Sequence, residues 1–263
     1  MFLTPIWPDA PDNVGALSTL RCGGVSAAPY GAAPSGASAG GGLNLGSHVG
    51  DDVACVQHNR SVLQAALPGP AVWLSQVHGT LAIDAAEIVP GQVPEADASV
   101  TSARGVVCAI LSADCLPVLL CDVDGTVVGA AHAGWRGLAG GVLRQTVLAM
   151  RNTGVGTGEI LAWLGPAIGP GQFEVGGDVV DAFLAGATDP DQARQVAAAF
   201  APVAARPGKY LADIYALARC ALEAVGVRRV AGGDYCTASD AQRFYSYRRD
   251  GITGRQANLI WLK

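Results

Sequence analysis

Three apolar runs lie close together near the middle of the chain: "GVVCAIL" (105–111), "PVLLCD" (117–122) and "TVVGAAHAG" (126–134). Each is short, rich in β-branched or small residues and bounded by turn formers, which predicts buried strands rather than helices. Asp124-Gly125 joins the second run to the third, and this dipeptide favours the left-handed turn of a two-residue hairpin. "AVWLSQVHG" (71–79), "ILAWLG" (160–165) and "ANLIWL" (257–262) predict further strands, the first ending at Gly79. Even the longest runs, 106–111 and 116–121, fall far short of the roughly 18 residues that span a bilayer.

Elsewhere the spacing is helical. "DDVACVQHNRSVLQAAL" (51–67) sets Val53, Val56, Val62, Leu63 and Leu67 behind two acidic residues, whose charge suits a helix N-terminus. Leu138, Val142, Leu143, Val147 and Met150 predict a helix over about 138–150. Others are expected at about 178–185, 190–200 and 211–225, the last carried by Leu211, Ile214, Leu217, Leu222 and Val225. Hairpins and helices mix without strict alternation, so the class is α+β, a mixed and largely antiparallel sheet covered by helices. "PYGAAPSGASAGGG" (29–42) reads as a flexible loop. Neither a repeat nor a linker divides the sequence, which predicts one large domain over 1–263.

Composition narrows the function. Half the residues are hydrophobic and 15% are charged, enough to bury a sizeable core. A net charge of −5 gives no electrostatic footprint for nucleic acid. The seven cysteines are odd in number and follow no framework spacing, and "MFLTPIWPDAPDN" lacks the basic and apolar regions of a secretory signal. These features predict reduced thiols in a cytoplasmic setting, and small-molecule partners rather than a membrane.

Candidate chemistry starts with the four histidines. His58 falls on the polar face of its helix, and His48 sits in the turn-rich "LNLGSHVGDD". His78 and His132 lie at predicted strand ends, one and two residues ahead of a glycine, where sites are commonly built. Cys115 stands at the edge of the second run. The separations, 37 residues from His78 to Cys115 and 17 from there to His132, match no zinc-finger pattern, so a plain scaffold role stays open. Two imidazoles and a thiolate would suit zinc with a fourth position left for water or substrate. The same trio would also serve a nucleophilic Cys115 with a histidine base.

Other segments carry paired readings. "GWRGLAGG" (134–141) puts Gly134, Arg136 and Gly137 at a helix start suited to an anion, or forms only a tight turn with Arg136 solvated. "RFYSYRRDGITGR" (243–255) packs four arginines and three aromatics into thirteen residues, suiting phosphate and a stacked ring, or a surface hairpin turning at Asp250-Gly251. "LGPAIGPGQFEVG" (164–176) is a rigid loop that could wall a pocket. Gln76 could hydrogen-bond substrate or finish its strand; Asp114 could orient a ligand histidine or cap a turn. Cys55, Cys108, Cys121 and Cys220 read as packing residues.

Jointly, "LNLGSHVGDD", "NRSVL", "WLSQVHG", "ADASVT", "SADCLPVLL", "AAHAGWRG", "LGPAIGP", "FEVG", "CTASD" and "FYSYRRDGITGR" are similar, in order, to the laccase-domain family, also called YfiH-type purine nucleoside phosphorylases or polyphenol-oxidase-like proteins. The resemblance implies an αββα sandwich and a metal site, most often zinc, at His78, Cys115 and His132. It implies phosphorolysis of adenosine, inosine, guanosine and methylthioadenosine, with deamination of adenosine by metal-activated water. Arg136 with its glycine turn, and Arg248 or Arg249, are then the expected phosphate clamps, with Gln76 as a substrate contact. The resemblance also carries alternatives. One is a copper-dependent phenol oxidase, for which four histidines are few. Another is a hydrolase with Cys115 as nucleophile in peptidoglycan precursor editing. A third is a nucleoside-binding protein with a structural metal.

Overall fold

The central apolar runs form strands Val107–Ser112, Leu116–Asp122 and Val128–Ala133, every residue of which is buried. A strand buried on both faces needs cover on both sides. In this computed structural model, which describes residues 1–31, 41–153 and 158–263, the cover comes from two stacked sheets with helices outside each.

The first sheet has five strands in the order Phe2–Leu3, Val14–Thr19, Gln256–Leu262, Val107–Ser112, Ala71–Val72. The second has six, in the order Arg229–Gly232, Ile160–Leu164, Leu116–Asp122, Val128–Ala133, Ala98–Thr101, Ala82–Asp84. Pairing is antiparallel except at Ala71–Val72, Arg229–Gly232 and Ala82–Asp84, which join their neighbours in parallel. The sheets meet through Cys108, Ile110, Ile260 and Leu262 on one side and Leu119, Cys121, Val128, Leu161 and Trp163 on the other. The far face of the second sheet (Leu116, Val118, Leu120, Ala131, Leu164) packs on residues from helices Val142–Asn152, Gly177–Ala185 and Ile214–Glu223. The far face of the first (Leu17, Val107, Ala109, Leu259) packs with Leu63 of helix Val53–Gln64. The layers therefore run helix, sheet, sheet, helix, as expected. No helix among the described residues is long and apolar enough to cross a membrane.

The hairpin forms at Asp124-Gly125, but as a four-residue loop over 123–126 rather than a two-residue turn: the closing bond runs from Asp122 N–H to Val127 O (3.2 Å), and within the loop Gly125 alone takes a left-handed φ, 62°. Asp122 closes it by accepting hydrogen bonds from the N–H groups of Thr126 (2.7 Å) and Val127 (3.0 Å) and from the Thr126 hydroxyl. This fixes a register in which His132 faces Pro117 and Ala133 faces Leu116. Cys115 and His132 are thereby delivered to the same end of the ladder.

Four further sequence expectations are corrected. The strand expected over 71–79 is only Ala71–Val72, because the Gln76 side chain takes the place of main-chain pairing: its amide donates to Leu111 O and its oxygen accepts from Leu111 N, both at 2.8 Å. The helix expected over 138–150 is two helices, Trp135–Gly140 and Val142–Asn152, broken at Gly141 with φ 94°. Leu211 belongs to strand Lys209–Ala212, and Asp213 caps the helix that begins at Ile214. Segment 243–255 is not a surface hairpin: Phe244 and Tyr245 are fully buried and Tyr247–Asp250 is a short helix. Of the loop read over 29–42, residues 32–40 lie outside the described residues.

Candidate metal centre

His78, Cys115 and His132 converge, with one ligand atom from each lying within 4.8 Å of the others. Cys115 Sγ is 3.7 Å from His78 Nε2. A tetrahedral zinc with bonds of about 2.3 Å to sulfur and about 2.0–2.1 Å to nitrogen sets these two atoms roughly 3.6 Å apart. The two rings are nearly perpendicular, centroids 4.8 Å apart. His132 is buried, Cys115 half-buried and His78 exposed, so the cluster opens to solvent on one side.

Local backbone explains the convergence. His78 (φ 61°) and Asp114 (φ 93°) both occupy the left-handed region, which costs a non-glycine residue on the order of 1–3 kcal/mol and persists only where contacts overdetermine it. Asp97 holds the first: Oδ1 accepts from His78 N (2.9 Å), and Oδ2 from Gly79 N (2.6 Å) and Val77 N (3.2 Å). Asp114 is held by its own carboxylate, which accepts from the Thr237 hydroxyl and from Arg248 N, both at 2.6 Å. Helix Trp135–Gly140 follows so closely that a Cβ at Gly137 would lie 2.7 Å from Gly79 O.

Electrostatics prepare the thiol. Burial opposes the Cys115 thiolate, yet the two imidazoles outweigh it and bring the group down to about 6. Burial likewise opposes the charged form of His132, but the thiolate and Asp97, 2.8 Å from its Nδ1, raise it to about 9. Without a metal the pair is a thiolate beside an imidazolium. Two nitrogens and one thiolate form a donor set that fits zinc and also suits copper.

The cluster lines a cavity of about 390 Å³ that His48, Gln76, Tyr247 and Arg255 share. Asn44, fully buried, accepts from Gly46 N (3.0 Å) and Arg255 N (2.8 Å), tying the His48 segment to the arginine. Partial burial, then the charges of Arg255 and Arg60, hold His48 below its ordinary value and hence neutral. Gln76 reaches the cavity, but its amide is committed to Leu111. Arg136 lies against the Trp135 ring and is not part of the lining. Arg248 donates to the carbonyls of Gln172 (3.0 Å) and Glu174 (3.1 Å), and Arg249 to those of Thr237 (2.7 Å) and Phe244 (3.0 Å) as well as to Asp250. Their guanidinium groups brace the chain, and neither lines the cavity. Arg255, His48, Tyr247 and Asp97 lie in segments quoted from the sequence, but spacing gives none of the four a role of its own. Arg255 and Tyr247 stand in the quoted arginine segment, and Asp97 in the quoted "ADASVT", but the partners of Asp97 lie 19 and 35 residues away and its role could not be read locally.

The family model described as multi-copper polyphenol oxidoreductase laccase matches residues 15–263. The chain belongs to this family. Among curated relatives, a purine nucleoside phosphorylase of Pseudomonas aeruginosa is 51% identical over 262 residues, covering 100% of this chain and 98% of the relative. Purine nucleoside phosphorylase YfiH of Escherichia coli is 48% identical over 264 residues, covering 99% and 98%. Among solved structures, a Neisseria meningitidis protein is similar with a TM-score of 0.86 at 50% identity, covering 100% of this chain and 99% of that one. YlmD from Geobacillus stearothermophilus gives 0.81 at 31% identity, covering 99% and 97%. These likenesses support an enzyme of the phosphorylase kind.

Proposed function

We propose that the chain is a zinc-dependent purine nucleoside phosphorylase acting on adenosine, inosine, guanosine and methylthioadenosine, and that it also deaminates adenosine. In phosphorolysis a phosphate oxygen bonds to C1′ of the ribose while the bond from C1′ to the purine nitrogen breaks. The products are the free base, which takes up a proton, and ribose 1-phosphate, or its 5-methylthio counterpart from methylthioadenosine. The observation that carries the reading is the His78–Cys115–His132 cluster opening into a cavity that also holds Arg255.

His78, Cys115 and His132 would hold the metal, which when bound supplies a Lewis acid at the cavity floor. Arg255 is the arginine best placed to bind phosphate, because it lines the cavity beside the three ligands and Arg136, Arg248 and Arg249 do not. One of its nitrogens donates to the carbonyls of Thr253 and Gly254, both at 3.0 Å, which fixes the group for a bidentate anion contact. Tyr247, 62% exposed at the cavity, offers a face on which a purine can stack. Neutral His48 can exchange hydrogen bonds with a ribose hydroxyl without competing for phosphate as a cation.

A panel of nucleosides incubated with zinc-loaded protein tests the reading. Inosine with phosphate should give hypoxanthine and ribose 1-phosphate, and adenosine should give both adenine and inosine. Release of free base that is indifferent to phosphate would refute phosphorolysis. The same three ligands admit copper, so metal analysis of the purified protein and a phenol-oxidation assay test the oxidase alternative.

A further inference from the structure

We propose that Asp97 is the positioning residue that assembles this centre. It would dictate which nitrogen of His132 faces the ion and lock His78 in the conformation that presents its ring. The role rests on the reading that His78, Cys115 and His132 hold a metal.

Asp97 is fully buried, where an unanswered carboxylate would be very costly. Its two oxygens offer about four acceptor sites, and four donors surround them: the N–H groups of Val77, His78 and Gly79, and Nδ1 of His132. Three successive N–H groups converging on one anion form a nest, and the φ of 61° at His78 is what turns them to the same side. The left-handed residue and the carboxylate therefore require each other. With Nδ1 of His132 held 2.8 Å from Oδ1, only Nε2 is left for an ion.

The sheet fixes where this carboxylate stands. Asp97 immediately precedes strand Ala98–Thr101, whose Ala98 pairs with Ala131. Its own carbonyl accepts from His132 N at 2.7 Å, and its N–H donates to Leu81 O at 3.1 Å. One residue thus grips His132 by main chain and by ring, and His78 by main chain, while Cys115 arrives on the hairpin. An asparagine has the same shape but one acceptor oxygen, and its NH₂ would face an N–H group, leaving donors unanswered.

Asp97→Asn is the test, with zinc affinity measured against a chromophoric chelator and the cobalt(II)-loaded protein followed by its absorption. Loss of an outer partner of this type typically weakens metal binding by about 10–100-fold. A loss in that range is expected, together with a changed thiolate-to-cobalt band. A fold-independent measurement uses zinc-loaded wild-type protein with ¹⁵N-labelled histidine: NMR should find the His132 proton on Nδ1. Folded Asp97→Asn with unchanged zinc affinity and cobalt spectrum, or a wild-type His132 protonated on Nε2, would overturn the role alone. Wild-type protein that takes up no zinc would overturn the centre as well.

Discussion

A methyl group at position 134 would press on two of the three ligands, His78 and Cys115. The Cβ of Gly134→Ala would lie 2.8 Å from His78 Cδ2, 3.0 Å from Cys115 Sγ and 3.5 Å from His78 Nε2. Carbon atoms in ordinary contact sit about 3.5–4.0 Å apart, so the ring must retreat by roughly 0.7 Å or more. Backbone conformation is no obstacle, since φ −59° and ψ 155° suit alanine. His78 is exposed and its ring can swing into solvent, so overpacking should cost the fold only about 1 kcal/mol, the low end of its usual range. The swing removes one of three ligands from the triangle. Zinc affinity should therefore fall at least tenfold, about 1.4 kcal/mol, and inosine phosphorolysis should fall with it. Thermal unfolding of the metal-free protein, chelator competition and hypoxanthine release measure the three quantities. Folded Gly134→Ala with undiminished zinc affinity and turnover would show that the three side chains do not work as one centre.

Other consequences are as direct. In metal-free protein, alkylation of Cys115 by iodoacetamide should rise with pH around a midpoint near 6, since the thiolate reacts and is lost below that value; a midpoint near 9 would contradict the imidazole effect. Cys108 and Cys121, pushed up to about 12 and buried, should stay unmodified in the same experiment. Arg255→Ala should raise the KM for phosphate at least tenfold and that for inosine far less, and equal effects on both would remove the phosphate role. Asp250 accepts from Arg249 (2.7 Å) and Arg21 (3.3 Å); burial opposes its charge, but these two arginines hold its carboxyl below the ordinary value. Its stabilisation is therefore present above about pH 4 and lost as pH falls through the depressed folded value. Asp250→Asn should cost about 1 kcal/mol in urea unfolding at pH 7 and progressively less under acid, and a constant difference would refute the ion-pair account.

How much was legible in the sequence follows from what local spacing can encode. The hairpin was readable because Asp124-Gly125 and two apolar runs state it within eighteen residues, and it already placed Cys115 near His132. His78 was a candidate from its place at a strand end, but only the family resemblance tied it to the other two, since its approach depends on a carboxylate distant in the chain and on a backbone conformation that spacing does not reveal. Strand 71–79 was overread because Gln76 imitates main-chain pairing with its side chain. The arginines pose a related problem: Arg248, Arg249 and Arg255 all donate to main-chain carbonyls, and spacing does not tell which of them also lines a cavity. Arg248 and Arg249 spend their donors on the carbonyls at 172, 174, 237 and 244, whereas Arg255, six residues further on, reaches the cavity.

The central claim is that one metal, gripped by two imidazoles and the Cys115 thiolate, supports cleavage of the nucleoside. Zinc content and inosine phosphorolysis measured side by side on wild-type protein and Cys115→Ser test it most directly. Wild-type protein should carry about one zinc per chain and release hypoxanthine only with phosphate, and Cys115→Ser should lose both. Full activity in metal-free wild-type protein, or a Cys115→Ser variant that keeps zinc and loses only turnover, would contradict it.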